Sequence, residues 1–294
     1  METVLVTGGT GFIGKKLCNK LKSKGYNVTI LSRKKSNDSN SFYWNIKNNY
    51  IDSEAIINAN YIIHLAGAGI ADKRWTKKRK QLLFDSRIIS TNLLFEKVKE
   101  LNPTLKGFIV ASGIGFYGTI TSNKIFSEQD EPGKDFLSYV CKFWEQASLK
   151  FKSINIKTVI FRTGVVFAEN GGALEKIVTP IKKGFGAVLG KGDQYMPWIH
   201  INDLCALYIE AIENKNFDGI YNAVSPEFIT NKEITYQIAE KLNKKIFLPP
   251  IPSFLIKIIF GKMSIILLKG SRISCEKIKI QKFDFHYNSF KNLI

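Results

Sequence analysis

Thr7-Gly8-Gly9-Thr10-Gly11-Phe12-Ile13-Gly14 is the stretch whose residue types and spacing most narrowly specify chemistry. Missing Cβ atoms let a diphosphate come close, and the free backbone N–H groups that open a helix offer it donors and the positive end of a dipole. The motif predicts a dinucleotide cradle formed by Gly8, Thr10, Gly11, Phe12, Ile13 and Gly14. A glycine-rich run alone also fits a hairpin or a plain loop, so the neighbouring residues carry the weight. The apolar run Val4-Leu5-Val6 precedes it, Leu17 and Leu21 follow at helical spacing until Gly25, and Asn27 to Leu31 returns as a second strand at βαβ distance.

That second strand runs into Ser32-Arg33-Lys34-Lys35, where a dinucleotide fold meets the adenosine ribose. An acidic residue there accepts from the ribose 2′-hydroxyl and selects NAD, whereas a basic one neutralises a 2′-phosphate. No Asp or Glu occurs from Tyr26 to Asn37. The expected cofactor is therefore NADP(H), with Ser32 offering a hydroxyl and Arg33 a charge; an exposed basic loop is the bland alternative.

Stepping outward, the elements that must position these residues read as alternating strands and helices. Phe42 to Ile46, Tyr61 to His64, Phe108 to Ala111, Thr158 to Val166 and Ile220 to Val224 read as strands, and Ile51 to Ala59 and Lys77 to Lys99 as helices. Asp203 is expected to cap the helix it opens, Thr230 with Glu233 forms a capping box, and His200 is read as structural. The expected fold is α/β: a Rossmann-like doubly wound parallel sheet with a smaller C-terminal α/β substrate lobe. The division is residues 1–166 with 203–224 as the NADP-binding domain, and 167–202 with 225–294 as the substrate-side lobe with a helical tail.

Composition bounds the rest. At 294 residues, 45% hydrophobic and 23% charged, the chain has material for a large core. Its formal net charge of +18 attracts anions, but the lysines are scattered, and no nucleic-acid module or aromatic-basic platform is visible, so no specific nucleic-acid function is expected. Cys18, Cys141, Cys205 and Cys275 lie far apart, which indicates neither a zinc site nor a disulfide framework. The first strand starts too close to Met1 for a signal peptide, and the reading is cytoplasmic. Ile251 to Leu268 is apolar, but Lys257, Gly261 and Lys262 interrupt it, so it is too short to span a membrane. Its Phe254, Leu255, Ile258 and Ile259 share one helical face. That stretch could lie on a membrane surface; packing on the protein is favoured.

The Thr7 to Gly14 motif resembles the form found in the extended, epimerase-like branch of the short-chain dehydrogenase/reductase superfamily. Ala66-Gly67 to Arg74-Trp75 with Ser86-Arg87, Cys141 to Glu145, and Gly190 to Asp203 resemble a subgroup of epimerase-family proteins. Members of that subgroup end in a domain of unknown function, and some carry a cell-division-inhibitor label. The resemblance covers essentially the whole chain. It implies cofactor contacts from His64, Leu65, Ala66 and Gly67 at the end of the fourth strand, and from Arg162 on the nicotinamide side. It also implies a substrate side formed by Arg74, Trp75, Ser112, Gln194 and Trp198.

The chain departs from the branch at its acid–base site. Gly113 stands where a catalytic hydroxyl is expected, and Leu137 and Cys141 stand where Tyr-x-x-x-Lys is expected, a motif in which lysine lowers the tyrosine's pKa. Tyr117 is the expected substitute proton donor, with a packing aromatic as the alternative. The resulting expectation is an NADP(H)-dependent reductase, epimerase or dehydratase acting on a small polar, sugar-derived substrate, with a non-standard acid–base site. The alternative is a non-catalytic NADP-sensing regulator. No metal is expected, and the sequence specifies neither substrate nor oligomeric state.

Overall fold

The computed structural model of the chain describes residues 1–169 and 171–293. Seven runs of mainly β-branched, aromatic and small residues form the parallel strands of one sheet. They are β1 Thr3–Thr7, β2 Asn27–Ser32, β3 Ser41–Asn45, β4 Tyr61–His64, β5 Gly107–Gly113, β6 Lys157–Thr163 and β7 Gly219–Ala223. Their spatial order is β7-β6-β5-β4-β1-β2-β3, and Tyr50–Ile51 adds a short antiparallel strand at the β3 edge. Val4 pairs with Val28 on one side and Tyr61 on the other, so the strand order reverses at β1. In such a sheet the crevice at the carboxyl ends of the strands is where ligands bind.

Both faces of the sheet are covered, which is why β1 is apolar throughout its centre. On one face Val4, Val6 and Val28 pack with Leu17 and Leu21 of α1 (Phe12–Ser23). On the other, Leu5, Ile62 and Phe108 pack beneath α2 (Ser53–Ile57), α3 (Lys77–Leu101) and α4 (Phe136–Leu149), through residues such as Ile56, Leu94 and Trp144.

Three further helices complete the covering of the sheet and a lobe beside it. Helices α5 (Gly172–Lys182), α6 (Ile201–Glu213) and α7 (Asn231–Lys241) follow in chain order; α6 packs on α1, and α5 on α7. Val165–Phe167 pairs in parallel with Trp198–His200, and Phe167, Trp198 and Phe290 form the centre of a second core. The Thr230–Glu233 capping box is present at the start of α7. Asp203 does not cap α6: its carboxylate accepts from the backbone N–H groups of His286 and Tyr287, at 3.3 Å and 2.9 Å, and clasps the C-terminal tail. The side chain of His200 accepts from Asn202 N at the helix start instead.

The tail begins with α8 (Ser253–Phe260) and, after a 3-10 turn, α9 (Ile265–Leu268), where one continuous helical stretch was expected. Gly261, with φ of 58°, ends α8. Arg272–Ile273 then pairs with Ile125–Phe126, and α10 (Glu276–Ile280) packs on β7. The tail thus crosses from the cleft to the sheet.

Candidate functional site: a dinucleotide crevice and a lysine-rimmed cleft

The turn after β1 is built to the limit of backbone contact. Gly8 adopts φ of 73°, and a Cβ on Gly14 would lie 2.2 Å from Gly8 O, so only glycine lets α1 start this close to the strand. Gly11 N donates to Gly8 O at 2.9 Å, and the helix begins with no side-chain cap and no acidic residue in its first turn. Thr10, Gly11 and Phe12 are exposed. Among the described residues no side chain caps the N–H groups at the start of α1, and the site fits an anionic diphosphate.

Across the crevice, Thr7 fixes the end of β4. Its carbonyl accepts from Leu65 N at 3.1 Å, its hydroxyl accepts from Ala66 N at 3.2 Å, and the same hydroxyl lies 2.6 Å from His64 Nδ1. Ser90 Oγ lies 3.2 Å from the other ring nitrogen of His64. His64 is fully buried, and burial together with the Arg87 charge pushes its pKa down to about 3. It therefore stands beneath the Leu65-Ala66-Gly67 ledge as a neutral strut, with no face toward the cofactor; that is a correction to the expected contact. Gly67 lies against the Arg87 guanidinium, which donates to Ala68 O at 3.0 Å and holds the ledge from behind.

At the end of β2, Ser32 Oγ accepts from Lys34 N at 3.1 Å, and Arg33 projects exposed from that turn. Among the described residues the Arg33 guanidinium has no ion-pair partner, and it stands with the Ser32 hydroxyl at the carboxyl end of β2, beside the turn that opens α1.

The expected acid–base residues form a buried chain instead. The Arg162 guanidinium meets both oxygens of Glu145, at 2.9 Å and 2.8 Å, and Ser112 Oγ donates to Glu145 Oε1 at 2.7 Å. Arg162 also donates to the Tyr117 hydroxyl at 2.9 Å; Tyr117 donates to Asn222 Oδ1 at 2.6 Å, and Asn222 donates to the Ser274 carbonyl at 3.0 Å. The Arg162 guanidinium stacks 3.3 Å from the Phe116 ring centroid. Burial drives the Tyr117 phenol well above its ordinary range, despite the opposing pull of Arg162. The phenol is enclosed and doubly bonded, and its burial opposes ionisation, so this arrangement favours the packing role over the expected proton donor. Arg162 and Ser112 are spent on Glu145, so neither faces cofactor nor substrate.

At the positions of the missing motif, Leu137 is buried beside the cleft, and the Cys141 thiol is fully buried and pushed by that burial up to about 12. Neither moves a proton at neutral pH.

Beyond Leu137 opens a cleft of about 920 Å³. Trp75 lines it, with its indole N–H donated to Ile70 O at 2.9 Å; Arg74 sits outside the lining and its guanidinium donates to the Ile258 carbonyl, tying the ledge loop to α8. Gln194 and Trp198 are not at the surface of this cleft. The Gln194 amide donates to Leu189 O and Leu267 O, at 3.1 Å and 2.8 Å, and Trp198 is wholly inside the second core. Both were expected to face substrate; both are structural, because the tail folds over them.

The cleft's own chemistry lies in residues that sequence reading passed over. Lys80, Lys191, Lys257, Lys262 and Lys269 line it, and none is ion-paired among the described residues. Lys80 Nζ stands 4.5 Å from the Phe136 ring centroid. Asp135 also lines the cleft, but caps α4: it accepts from Leu137 N, Ser138 N and Thr119 N at 2.9, 3.0 and 2.6 Å. Burial opposes its ionisation, yet these donors and the Thr119 hydroxyl outweigh it and hold the carboxyl below its usual range. Lys191 and Asp193 were within reach of the sequence, since they flank Gln194 in the Gly190 to Asp203 stretch. The tail lysines carried no local signal, because they reach the cleft only through the fold.

Residues 4–223 match the NAD dependent epimerase/dehydratase family, and residues 251–293 match a domain of unknown function, DUF1731. An epimerase family protein of Staphylococcus aureus is 33% identical over 297 residues, covering 99% of this chain and 97% of that protein. The chloroplastic SDR39U1 homolog of Arabidopsis thaliana is 30% identical over 99% of this chain and 85% of its own length. The crystal structure of human epimerase family protein SDR39U1 (isoform 2) with NADPH is similar at TM-score 0.89 and 28% identity, over 99% of this chain and 97% of that one. A nucleoside-diphosphate sugar epimerase from Corynebacterium glutamicum matches at TM-score 0.80 and 28% identity, over 99% of this chain and 56% of that one.

Proposed function

The chain belongs to the NAD dependent epimerase/dehydratase family, and from that premise we propose that it is an NADP(H)-dependent enzyme acting on a small, negatively charged substrate held in the lysine-rimmed cleft. The division of labour follows the sequence reading: residues 1–166 with 203–224 hold the cofactor, and 167–202 with 225–294 supply the substrate side. Gly8, Gly11 and Gly14, with the N–H groups that open α1, hold the diphosphate; Leu65, Ala66 and Gly67 flank it, and Ser32 and Arg33 meet the 2′-phosphate. The NADPH in the human SDR39U1 crystal supports that choice of cofactor. When bound, the nicotinamide supplies or accepts a hydride.

The observation that carries the reading is the cleft itself: five unpaired lysines around a volume large enough for a substrate. A protein that only sensed its cofactor would not need such a chamber. The lysines attract and orient an anion, Trp75 and Phe136 give it an apolar wall, and the proton is exchanged with water that enters the open cleft. Reduction, epimerisation and dehydration all remain compatible with this constellation. A cytoplasmic location belongs to the same reading.

The second reading, an NADP(H)-sensing regulator without turnover, draws its support from one observation: Tyr117, Arg162 and Glu145 are locked together where chemistry is expected. The two readings separate in one experiment. Purified protein is loaded with NADPH and mixed with phosphorylated and carboxylated carbonyl compounds, and absorbance of the reduced nicotinamide is followed. The corresponding alcohols are offered in parallel to protein loaded with NADP+, and products are read by NMR, because epimerisation and dehydration return the cofactor unchanged. Saturable conversion of one compound supports the enzyme, and tight cofactor binding with no conversion in either arm favours the regulator.

A further inference from the structure

Outside the crevice, helix α8 leaves an apolar face uncovered. Its apolar residues Phe254, Leu255, Ile258 and Ile259 share one face, and that face points away from the protein: with Phe185 and Phe247 they are between 40% and 79% exposed. Only Ile256 of the helix is buried.

Phe185 and Phe247 belong to the two segments that meet just before α8. The chain preceding α8 runs parallel to the chain following α5, with Ile251 N donating to Val188 O at 2.8 Å and Gly190 N donating to Ile251 O at 2.9 Å. Extending that parallel register by four residues sets Phe247 beside Phe185. A Cβ on Gly186 would lie 2.8 Å from the Ile246 side chain, which brings the two segments together at that end too. The helix starts two residues beyond Ile251.

Charge decides what covers this surface. No Asp or Glu occurs from Leu242 to Cys275, nor from Lys176 to Gly192, and Lys182, Lys183, Lys244 and Lys245 stand exposed beside the aromatic pair. A second copy docking symmetrically would set these lysines against their own equivalents, which like-charge repulsion disfavours. A lipid surface carrying negative headgroups complements both halves of the patch at once: apolar side chains enter the acyl boundary while lysines meet phosphates. We propose that the α8 face with Phe185 and Phe247 docks the protein on anionic membrane. Ser253 and Lys257 of the same helix line the cleft, so docking brings the rim of the cleft to the lipid surface. This inference stands independently of the substrate assignment.

The full chain is floated with vesicles of phosphatidylcholine alone and of phosphatidylcholine with an equal part of phosphatidylglycerol, at low and high salt. Wild type is expected to float with the mixed vesicles at low salt and to stay behind with phosphatidylcholine alone. Ile258→Ser with Ile259→Ser, and separately Lys244→Ala with Lys245→Ala, should each lower partitioning by about tenfold. These side chains are exposed, and unchanged thermal melting by circular dichroism verifies that the variants are folded. The proposal is overturned if wild type ignores the mixed vesicles, or if the serine variant floats as well as wild type. It is equally overturned if light scattering shows a dimer that the serine variant dissolves, which would assign the face to a second copy.

Discussion

Two glycines and one arginine carry the cofactor site at the residue scale, and they fail in different ways. A methyl group at position 14 collides with the Gly8 carbonyl and moves the helix start from the strand. Gly14→Ala should therefore weaken NADPH and NADH alike, by at least about tenfold in a fluorescence titration. On the proposed reading, Arg33 meets only the 2′-phosphate that distinguishes the two cofactors. Arg33→Ala should cost about tenfold for NADPH and leave NADH unchanged; equal losses would place the discrimination elsewhere. Tyr117→Phe removes a hydroxyl that satisfies Asn222 and Arg162, so unfolding in urea should show a loss of about 1–3 kcal/mol while NADPH affinity holds. If such a variant is folded but loses a measured turnover, the phenol acts as a donor after all. Buried histidines add a pH signature. The pKa of His64 falls from 6.5 to about 3, and that of His200 to about 4, both chiefly through burial. The unfolded chain therefore binds more protons in this window, so this stability is complete above pH 6.5 and is lost as pH falls toward 3. Urea titrations between neutral and acidic pH should show that slope, and His64→Gln should flatten its share of it.

At the scale of elements, α4 carries structural bonds at the place where the resemblance implies a catalytic motif. Its start is fixed by Asp135, which ties Leu137, Ser138 and Thr119 together, and its middle is fixed by the Glu145–Arg162 pair against β6. Asp135→Ala should cost about 1–2 kcal/mol through loss of the cap, with Asp135→Asn recovering part of it, as read by chemical denaturation. Glu145→Ala leaves a buried guanidinium unpaired and should cost about 3–5 kcal/mol. Much of this architecture was legible beforehand. The strand–turn–helix at the N-terminus and the Thr230–Glu233 box are short-range patterns, and short-range patterns survive folding because the groups they bring together are neighbours in the chain. The Asp203 assignment failed for the complementary reason. A carboxylate near a helix start usually caps it, but here backbone donors from His286 and Tyr287, more than 80 positions away, reach it instead.

At the scale of the whole molecule, the tail decides how the parts are used. It closes the cleft with Lys257, Lys262 and Lys269, covers Gln194 through the Leu267 carbonyl, and completes the buried chain behind Tyr117 through the Ser274 carbonyl. Asp203→Ala should release its far end: hydrogen exchange of residues 285–293 should rise while the central sheet keeps its protection, and uniform loss of protection would show instead that tail and sheet unfold as one unit. The sequence alone determined the first strand–glycine turn–helix–strand unit and the basic turn after β2, since each is encoded within some thirty consecutive residues, and the alternation of strands and helices after it read as a parallel sheet. Helical periodicity also grouped Phe254, Leu255, Ile258 and Ile259 on one face, but not the direction that face takes. Only the tertiary structure decided that it turns outward, that Tyr117 and Arg162 are enclosed, and that lysines from three distant segments surround one cleft. Periodicity states which side chains point the same way; what lies opposite them depends on contacts between residues far apart in the chain, for which one sequence holds no local signal.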